Sequence, residues 1–465
     1  MEPNHTSMSE TKALLQRYDR PGPRYTSYPT APSWTDDFGG EDHRQSLLRA
    51  SEHAGAPLSI YVHIPFCESL CLYCGCSVLI TQQQSKGIAY VDELLAEADL
   101  VRRSLTAERP VVQHHWGGGT PTFLPPDELV RLFEGLAERF PVAEDEQAEV
   151  SIEVDPRVTT TEQLEALRRV GFNRISMGVQ DFTPKVQETI HRVQSYELTR
   201  DLVNAARDLG FQSVNLDLVY GLPYQTVEDF EETIQKVLTL SPDRLACYSY
   251  AHVPWLKKHQ RVFDEASLPS AELKMQLYLT ALGRFTENGY AVVGMDHFAK
   301  TTDALAVAAD SGNLHRNFMG YTTRPASDMV SLGMTSISEV QGAFAQNLKS
   351  LGEWRASIER GELPVTRGLR RSADDEARRA LILDLMCRFR LEFEDHGSRE
   401  VFLATYSTAI ETLKPMAKDG LCSIDENGIS VTKAGRLFVR NLAMPFDAYL
   451  KNQQKGGGPV YSRTV

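Results

Sequence analysis

From Leu58 onward the chain alternates short strand-like runs with amphipathic stretches, and this alternation limits the fold more than any other feature. Strands are expected at 58–66, 111–116, 149–154, 174–179, 213–220 and 244–250. Between them, Val91, Leu94, Leu95, Ala98, Val101 and Leu105 recur at three- and four-residue spacing, as do Phe230, Ile234, Val237 and Leu238, so each set marks one face of a helix. Thr160-x-x-Gln163 has the form of a capping box, Thr226-x-x-Asp229 that of a weaker N-cap. Gly171 and Gly210 stand where helices commonly end. Six β-then-α units call for a parallel sheet with helices outside it. A closed eight-stranded barrel and an open doubly wound sheet both fit; six units favour a partial (β/α)6 barrel. In either architecture ligands gather at the carboxyl ends of the strands.

Polar or glycine-rich groups follow nearly every one of those strands. After the first comes Cys67-Glu-Ser-Leu-Cys71-Leu-Tyr-Cys74-Gly-Cys76, and after the second Trp116-Gly-Gly-Gly-Thr-Pro-Thr122. The glycine run has no Cβ on three successive residues, so its backbone can approach a ligand and offer N–H donors. The later strands end at Glu153-Val-Asp155-Pro-Arg157, at Gly178-Val-Gln180-Asp181, at Asp217 with Gly221-Leu-Pro223, and at Tyr250-Ala-His-Val253. One such group is an ordinary loop residue. Six in the same topological place point to one site.

The cysteines define its chemistry. Three thiolates at C-x3-C-x2-C can hold three irons of a cubane [4Fe–4S] cluster, whose usual complement is four. One iron then keeps the open position that a catalytic metal site needs. A zinc knuckle would require a second Cys/His pair downstream, and no pair with that spacing is present; a disulfide-bonded loop is the other plain alternative. Cys76 is a spare ligand, a reacting thiol or a small buried residue. Crowding of four of the seven cysteines points to a reducing compartment, with Cys247, Cys387 and Cys422 as buried thiols.

The remaining composition narrows the partners. A formal net charge of −13 argues against a nucleic-acid partner. No apolar run approaches the roughly 20 residues that span a bilayer, and the N-terminus lacks the basic start and apolar core of a signal peptide. A cytoplasmic location without membrane attachment is expected, for a protein read as a monomer.

The organisation expected is an N-terminal extension over 1–56, a catalytic domain over 57–365 and a C-terminal helical domain over 366–465. Pro21 to Thr30 holds three prolines and two tyrosines, so it is no helix interior and is expected to lie as a strap across the catalytic domain. Ser372-x-x-Asp375 opens a helix, and runs at 421–424 and 429–431 flank Asn427-Gly428, a hairpin signal. The C-terminal part therefore reads as mostly helical and winged-helix-like. The tail over 455–459 is expected to be mobile, with 460–463 able to dock again. His297 and Arg316, set among aromatic residues, are either core groups or partners of an anionic ligand.

Several of these pieces together resemble one family. They are Gly22-Pro-Arg-Tyr-Thr-Ser-Tyr-Pro29, Tyr61-Val-His-Ile-Pro-Phe-Cys67, the cysteine array, His115-Trp-Gly-Gly-Gly-Thr-Pro-Thr122, Ser151-Ile-Glu-Val-Asp-Pro-Arg157, Ser176-Met-Gly-Val-Gln-Asp-Phe182, Tyr220-Gly-Leu-Pro223, Met295-Asp-His-Phe298 and His315-Arg-Asn-Phe318. The set resembles the oxygen-independent coproporphyrinogen III oxidases of haem biosynthesis, within the radical S-adenosylmethionine (radical SAM) superfamily. The resemblance implies a cluster on Cys67, Cys71 and Cys74 and two S-adenosylmethionine molecules side by side. Tyr61, Gly118, Glu153 and Ile337 would contact the first. Tyr73, Gly119, Thr120, Gln180, Arg192, Asp217 and Ala251 would contact the second. Tyr61 and Cys76 are the candidate catalytic residues near the cluster. The implied substrate, coproporphyrinogen III, carries four carboxylates, and Arg24, His297 and Arg316 are the candidate local cations for them. A protein electron donor or acceptor is a further implied partner. The rival reading is a haem chaperone that shares C-x3-C-x2-C; it usually has phenylalanine at the position of Cys76 and lacks the Pro21–Thr30 segment. A radical SAM enzyme for another substrate is a third.

Overall fold

The computed structural model describes residues 8–144, 148–450 and 460–464. Six strands follow one another in parallel: β1 (Leu58–Ile64), β2 (Val111–Gly118), β3 (Glu149–Val154), β4 (Arg174–Gln180), β5 (Ser213–Tyr220) and β6 (Arg244–Ser249). Each is followed by a helix: α1 (Gln84–Ser104), α2 (Pro126–Arg139), α3 (Thr161–Val170), α4 (Tyr196–Asp208), α5 (Val227–Leu240) and α6 (Ala271–Glu287). The expected apolar faces are the buried ones: Val91, Leu94, Ala98 and Val101 on α1, and Phe230, Ile234 and Val237 on α5. Burying each of these side chains other than Ala98 contributes about 1.5–3 kcal/mol. Between β2 and its helices, Trp116 meets Phe172 edge-on at 5.0 Å, with Phe133 5.3 Å from Phe172.

The sheet is larger than the six units. Two antiparallel strands, β7 (Tyr290–Val293) and β8 (His297–Lys300), extend it beyond β6. On the other side β9 (Asp328–Leu332) runs parallel to β1, followed by the antiparallel β10 (Ile337–Val340), β11 (Ala343–Asn347) and β12 (Val365–Arg370). The order is β12-β11-β10-β9-β1-β2-β3-β4-β5-β6-β8-β7. Because β1 pairs with β9 and β2, never with β6, the six units form an open, partial barrel. Residues 290–370 showed no strand signal because β9 and β11 are buried along their whole length. With both faces covered, no two-residue alternation is needed. The sheet runs to Arg370, so the catalytic unit continues past the expected limit at 365.

The C-terminal part is a helix (Ala373–Leu383), β13 (Arg390–Glu392), two helices (Arg399–Thr405 and Ser407–Lys418), and the hairpin of β14 (Cys422–Ile424) and β15 (Gly428–Val431). The strands pair in the order β13-β15-β14, which is the helical, winged arrangement expected. Ser372 and Asp375 form the capping box of its first helix.

The N-terminal segment, expected as a strap across the catalytic domain, also enters the C-terminal core. Tyr25 and Tyr28 are buried with Leu381, Phe393 and Phe446 in the C-terminal core. Tyr25 Oη donates to Asp447 at 3.1 Å, and the Tyr28 hydroxyl accepts from the Ala448 amide at 3.0 Å. Arg24, just before them, already meets Asp296 and Tyr248 of the catalytic domain, and further on Trp34 stacks on Phe344 at 5.1 Å and Thr35 exchanges backbone bonds with Gly368. Residues 460–464 do dock, through bonds from the Gly22 amide to the Ser462 carbonyl and from the Thr464 amide to Arg20. The expectation for 455–459 lies outside the described residues.

Candidate active site

The carboxyl ends of β1 to β6 enclose a cavity of about 390 Å³. Its wall contains Cys67, Cys71, Cys74 and Cys76 from the loop after β1, Gly118, Gly119 and Thr120 after β2, Glu153 on β3, Gln180 on β4, Asp217 on β5, and Ala251 after β6. Tyr73, Arg192, Asp155, Arg157 and Tyr248 also line it. The sequence placed these residues at strand ends one by one; the parallel sheet brings the ends together.

All seven cysteines are unbridged. Arg157 and Arg192 reach Cys71 Sγ at 3.3 and 3.6 Å. The same two arginines hold Asp155, at 2.7 and 2.9 Å. Burial alone would raise the Asp155 carboxyl, but Arg192 and Arg157 more than offset it and keep it below its ordinary range. Burial pushes the Cys67 thiol up to about 11. Cys74 is drawn down to about 6, chiefly by its hydrogen bond with the Cys76 side chain. Three free thiols on one loop, two cations beside them and an unpartnered buried Nε on Arg192 suit a metal–sulfur group with an anionic ligand on it.

The glycine run behaves differently from the expectation that it offers N–H donors to a ligand. Gly119 N donates to the Ile64 carbonyl and Thr120 N to that of Phe66, both at 2.8 Å, while Gly118 N donates to Glu153 at 3.4 Å. Its purpose is close approach. A Cβ on Gly119 would lie 2.6 Å from the Pro65 carbonyl carbon, and one on Gly118 2.6 Å from the His63 ring. Gly118 has φ +114°, a left-handed conformation that glycine adopts without strain.

Tyr61 and Ile337 are outside the lining of this cavity. Tyr61 stands two strands over from Glu153, its ring stacked on His115 of the intervening β2 at 5.9 Å. Ile337 begins β10, with its carbonyl accepting from Ser331 Oγ at 2.5 Å. The structure adds His63, which the sequence reading left without a role. Its Nε2 faces the Ser77 carbonyl at 3.0 Å and must donate to it. The Nδ1 therefore accepts from Tyr61 Oη at 3.1 Å, and burial holds the ring neutral by lowering its pKa. His63 thus ties Tyr61 to the cysteine loop.

Arg24, His297 and Arg316 converge from three separate segments. Arg24 forms an ion pair with Asp296 and lies 5.7 Å from the centre of the Tyr248 ring, a side chain of the cavity wall. His297 donates from Nδ1 to Asp296 at 2.7 Å, with its Nε2 3.4 Å from the Tyr248 hydroxyl. Arg316 donates to Tyr321 Oη at 2.7 Å, and its Nε has no partner. The expectation of three cations fails at His297: burial, and then Arg316, push its pKa down to about 3, so the ring is neutral. Burial and the charge on Arg316 also lower the pKa of Arg24, the mark of two like charges crowded out of water.

Comparison with known proteins gives the same answer as the geometry. Residues 61–237 match the radical SAM superfamily, and residues 372–438 match the HemN C-terminal domain. The oxygen-independent coproporphyrinogen III oxidase of Escherichia coli strain K12 is 44% identical over 456 residues, covering 97% of this chain and 98% of that protein. That of Pseudomonas aeruginosa is 42% identical over 439 residues, covering 94% and 95%. The solved structure described as coproporphyrinogen III oxidase (HemN) from Escherichia coli, a radical SAM enzyme, superposes with a TM-score of 0.88 at 43% identity, covering 94% of this chain and 98% of that one. With its cysteine loop, its partial barrel and its C-terminal domain all in place, the chain belongs to the oxygen-independent coproporphyrinogen III oxidase family of the radical SAM superfamily.

Proposed function

We propose that this protein converts two propionate side chains of coproporphyrinogen III to vinyl groups without dioxygen, giving protoporphyrinogen IX. The observation that carries the reading is the single cavity in which three free thiols face Glu153, Gln180 and Asp217. Cys67, Cys71 and Cys74 would hold the [4Fe–4S] cluster. With S-adenosylmethionine bound, such a cluster would supply the radical chemistry for removing a hydrogen from the β-carbon of a propionate, with loss of CO2 and transfer of one electron to an acceptor.

This chain's residues bind and orient. Tyr61, Gly118, Glu153 and Ile337 are assigned to the first S-adenosylmethionine, with His63 fixing the Tyr61 hydroxyl. Tyr73, Gly119, Thr120, Gln180, Arg192, Asp217 and Ala251 are assigned to a second. Arg316, a buried cation, and Arg24, a half-buried one, are short of anionic partners, Asp296 apart, and would take substrate carboxylates. His297 orients Asp296 and Tyr248 as a neutral ring. Cys76 remains a free thiol on the cavity wall beside the cluster loop. A cytoplasmic monomer drawing on a protein electron donor fits seven unbridged cysteines; among the described residues no helix is long and apolar enough to cross a membrane.

The test is anaerobic. Reconstituted protein given reductant, S-adenosylmethionine and coproporphyrinogen III should release CO2 and 5′-deoxyadenosine, and Cys71→Ser should abolish both together with the iron. Tight haem binding with neither product would favour the chaperone and end this reading.

A further inference from the structure

The loop after β6 carries a surface that the reaction itself does not use. Residues 253–262 close on themselves: Val253 N donates to Gln260 Oε1 at 2.7 Å, Leu256 and Lys257 amides to the Val253 carbonyl at 2.9 Å, and Arg261 Nε to the Pro254 carbonyl at 3.1 Å. Three side chains from this loop grip the cluster loop. Lys257 Nζ donates to the Cys76 carbonyl at 2.8 Å, His259 Nε2 to that of Cys74 at 2.8 Å, and Gln260 Nε2 to that of Tyr73 at 3.0 Å. Gln260 is fully buried, so this is a fixed joint rather than a passing contact.

The outward side of the same loop is apolar and basic. Trp255, Leu256 and Val262 are 43%, 65% and 64% exposed, large fractions for such side chains on consecutive turns. Lys258 and Arg261 are exposed beside them while Lys257 and His259 turn onto the cluster loop, and 254–262 contain no acid, Asp264 and Glu265 lying just beyond. On a chain of net charge −13 this is a local reversal of sign. An apolar centre with a basic rim fits a protein partner of opposite charge.

We propose that residues 254–262 are the docking face for an acidic, one-electron carrier protein that reduces the cluster. The inference rests on the assignment of the cluster to Cys67, Cys71 and Cys74. It uses the fact that the face is joined by side-chain bonds to the carbonyls of Cys74 and Cys76. The step is one electron: the carrier is oxidised by one, the cluster is reduced from its 2+ to its 1+ state, and no proton or group moves. Exposed Trp255, Leu256 and Val262 favour a protein here over the small tetracarboxylate substrate or a second, equally acidic copy of this chain.

The experiment uses the anaerobic holoenzyme, with an acidic flavodoxin as the probe. The variants are Lys258→Glu with Leu256→Ser, and separately Val262→Ser, all exposed and none assigned to the active site. Flavodoxin binding, read by titration calorimetry, should weaken about tenfold or more in the double variant, and wild-type binding should weaken steeply with salt. Bleaching of the cluster absorbance by reduced flavodoxin should slow, while bleaching by dithionite and turnover with dithionite stay unchanged. Flavodoxin affinity equal to wild type in both variants overturns the proposal. So does a rise in substrate KM with dithionite while flavodoxin binding holds, which would make the face a substrate guide, or loss of a dimer under the same condition. Turnover with dithionite tests the enzyme activity separately, so the two readings fail independently.

Discussion

Burial, reinforced by the charge of Glu153, lifts the Asp217 carboxyl to about 6. Ser176 Oγ and Asn215 Nδ2 donate to it at 3.1 and 2.7 Å, which fixes its orientation and partly opposes the rise. The sign follows directly: above pH 6 the group is an anion able to hold a cationic ligand, and below it the charge is lost. Binding of the second S-adenosylmethionine proposed above, measured by equilibrium dialysis at pH 5 and pH 8, should be markedly weaker at pH 5. In Asp217→Asn the stoichiometry should fall towards one at both values. At this scale the sequence was most legible where a motif names a residue, as with the cysteines or Glu153. It was silent on His63 and Gln260, whose importance comes from carbonyls of a loop that no local pattern places beside them.

The elements show how local signals become site geometry. Thr160 Oγ1 accepts from Gln163 N at 3.2 Å and Gln163 Oε1 accepts from Thr160 N at 2.9 Å, the capping box read from sequence. The amide of the same glutamine then donates to the carbonyls of Thr122 and Leu124 at 2.7 and 2.8 Å. One residue therefore starts α3 and anchors the loop after β2. Thr160→Ala removes only the cap and should cost about 1 kcal/mol in urea unfolding with activity kept. Gln163→Ala also strands two buried carbonyls and should cost roughly 2–3 kcal/mol, with reduced iron retention because the Gly118–Thr120 backbone loses its support. The capping box was legible since cap and partner are three residues apart. The second task of Gln163 was not, since its acceptors lie 39 and 41 residues away.

For the whole molecule the junction at Arg440 matters most. This buried guanidinium donates to the carbonyls of Gly22 and Pro23 and to those of Arg463 and Thr464, and burial, then Arg24, draws its pKa down to about 9. It ties the N-terminal segment, the C-terminal domain and the last residues into one joint. Arg440→Leu should lower stability by roughly 3 kcal/mol through the orphaned carbonyls. Trypsin should then cut after Arg24 sooner than in wild type, and substrate KM should rise because Arg24 is no longer held against Asp296. By itself the sequence determined the six β/α units, the cluster loop and the capped helices, because turn chemistry and apolar period act between residues close in the chain. The tertiary structure alone decided that the sheet continues through β7 to β12, that the Pro21–Thr30 segment packs into the C-terminal core as well as against the barrel, and that His297 is neutral. Each depends on which distant groups exclude water from one another, and a linear pattern carries no record of that.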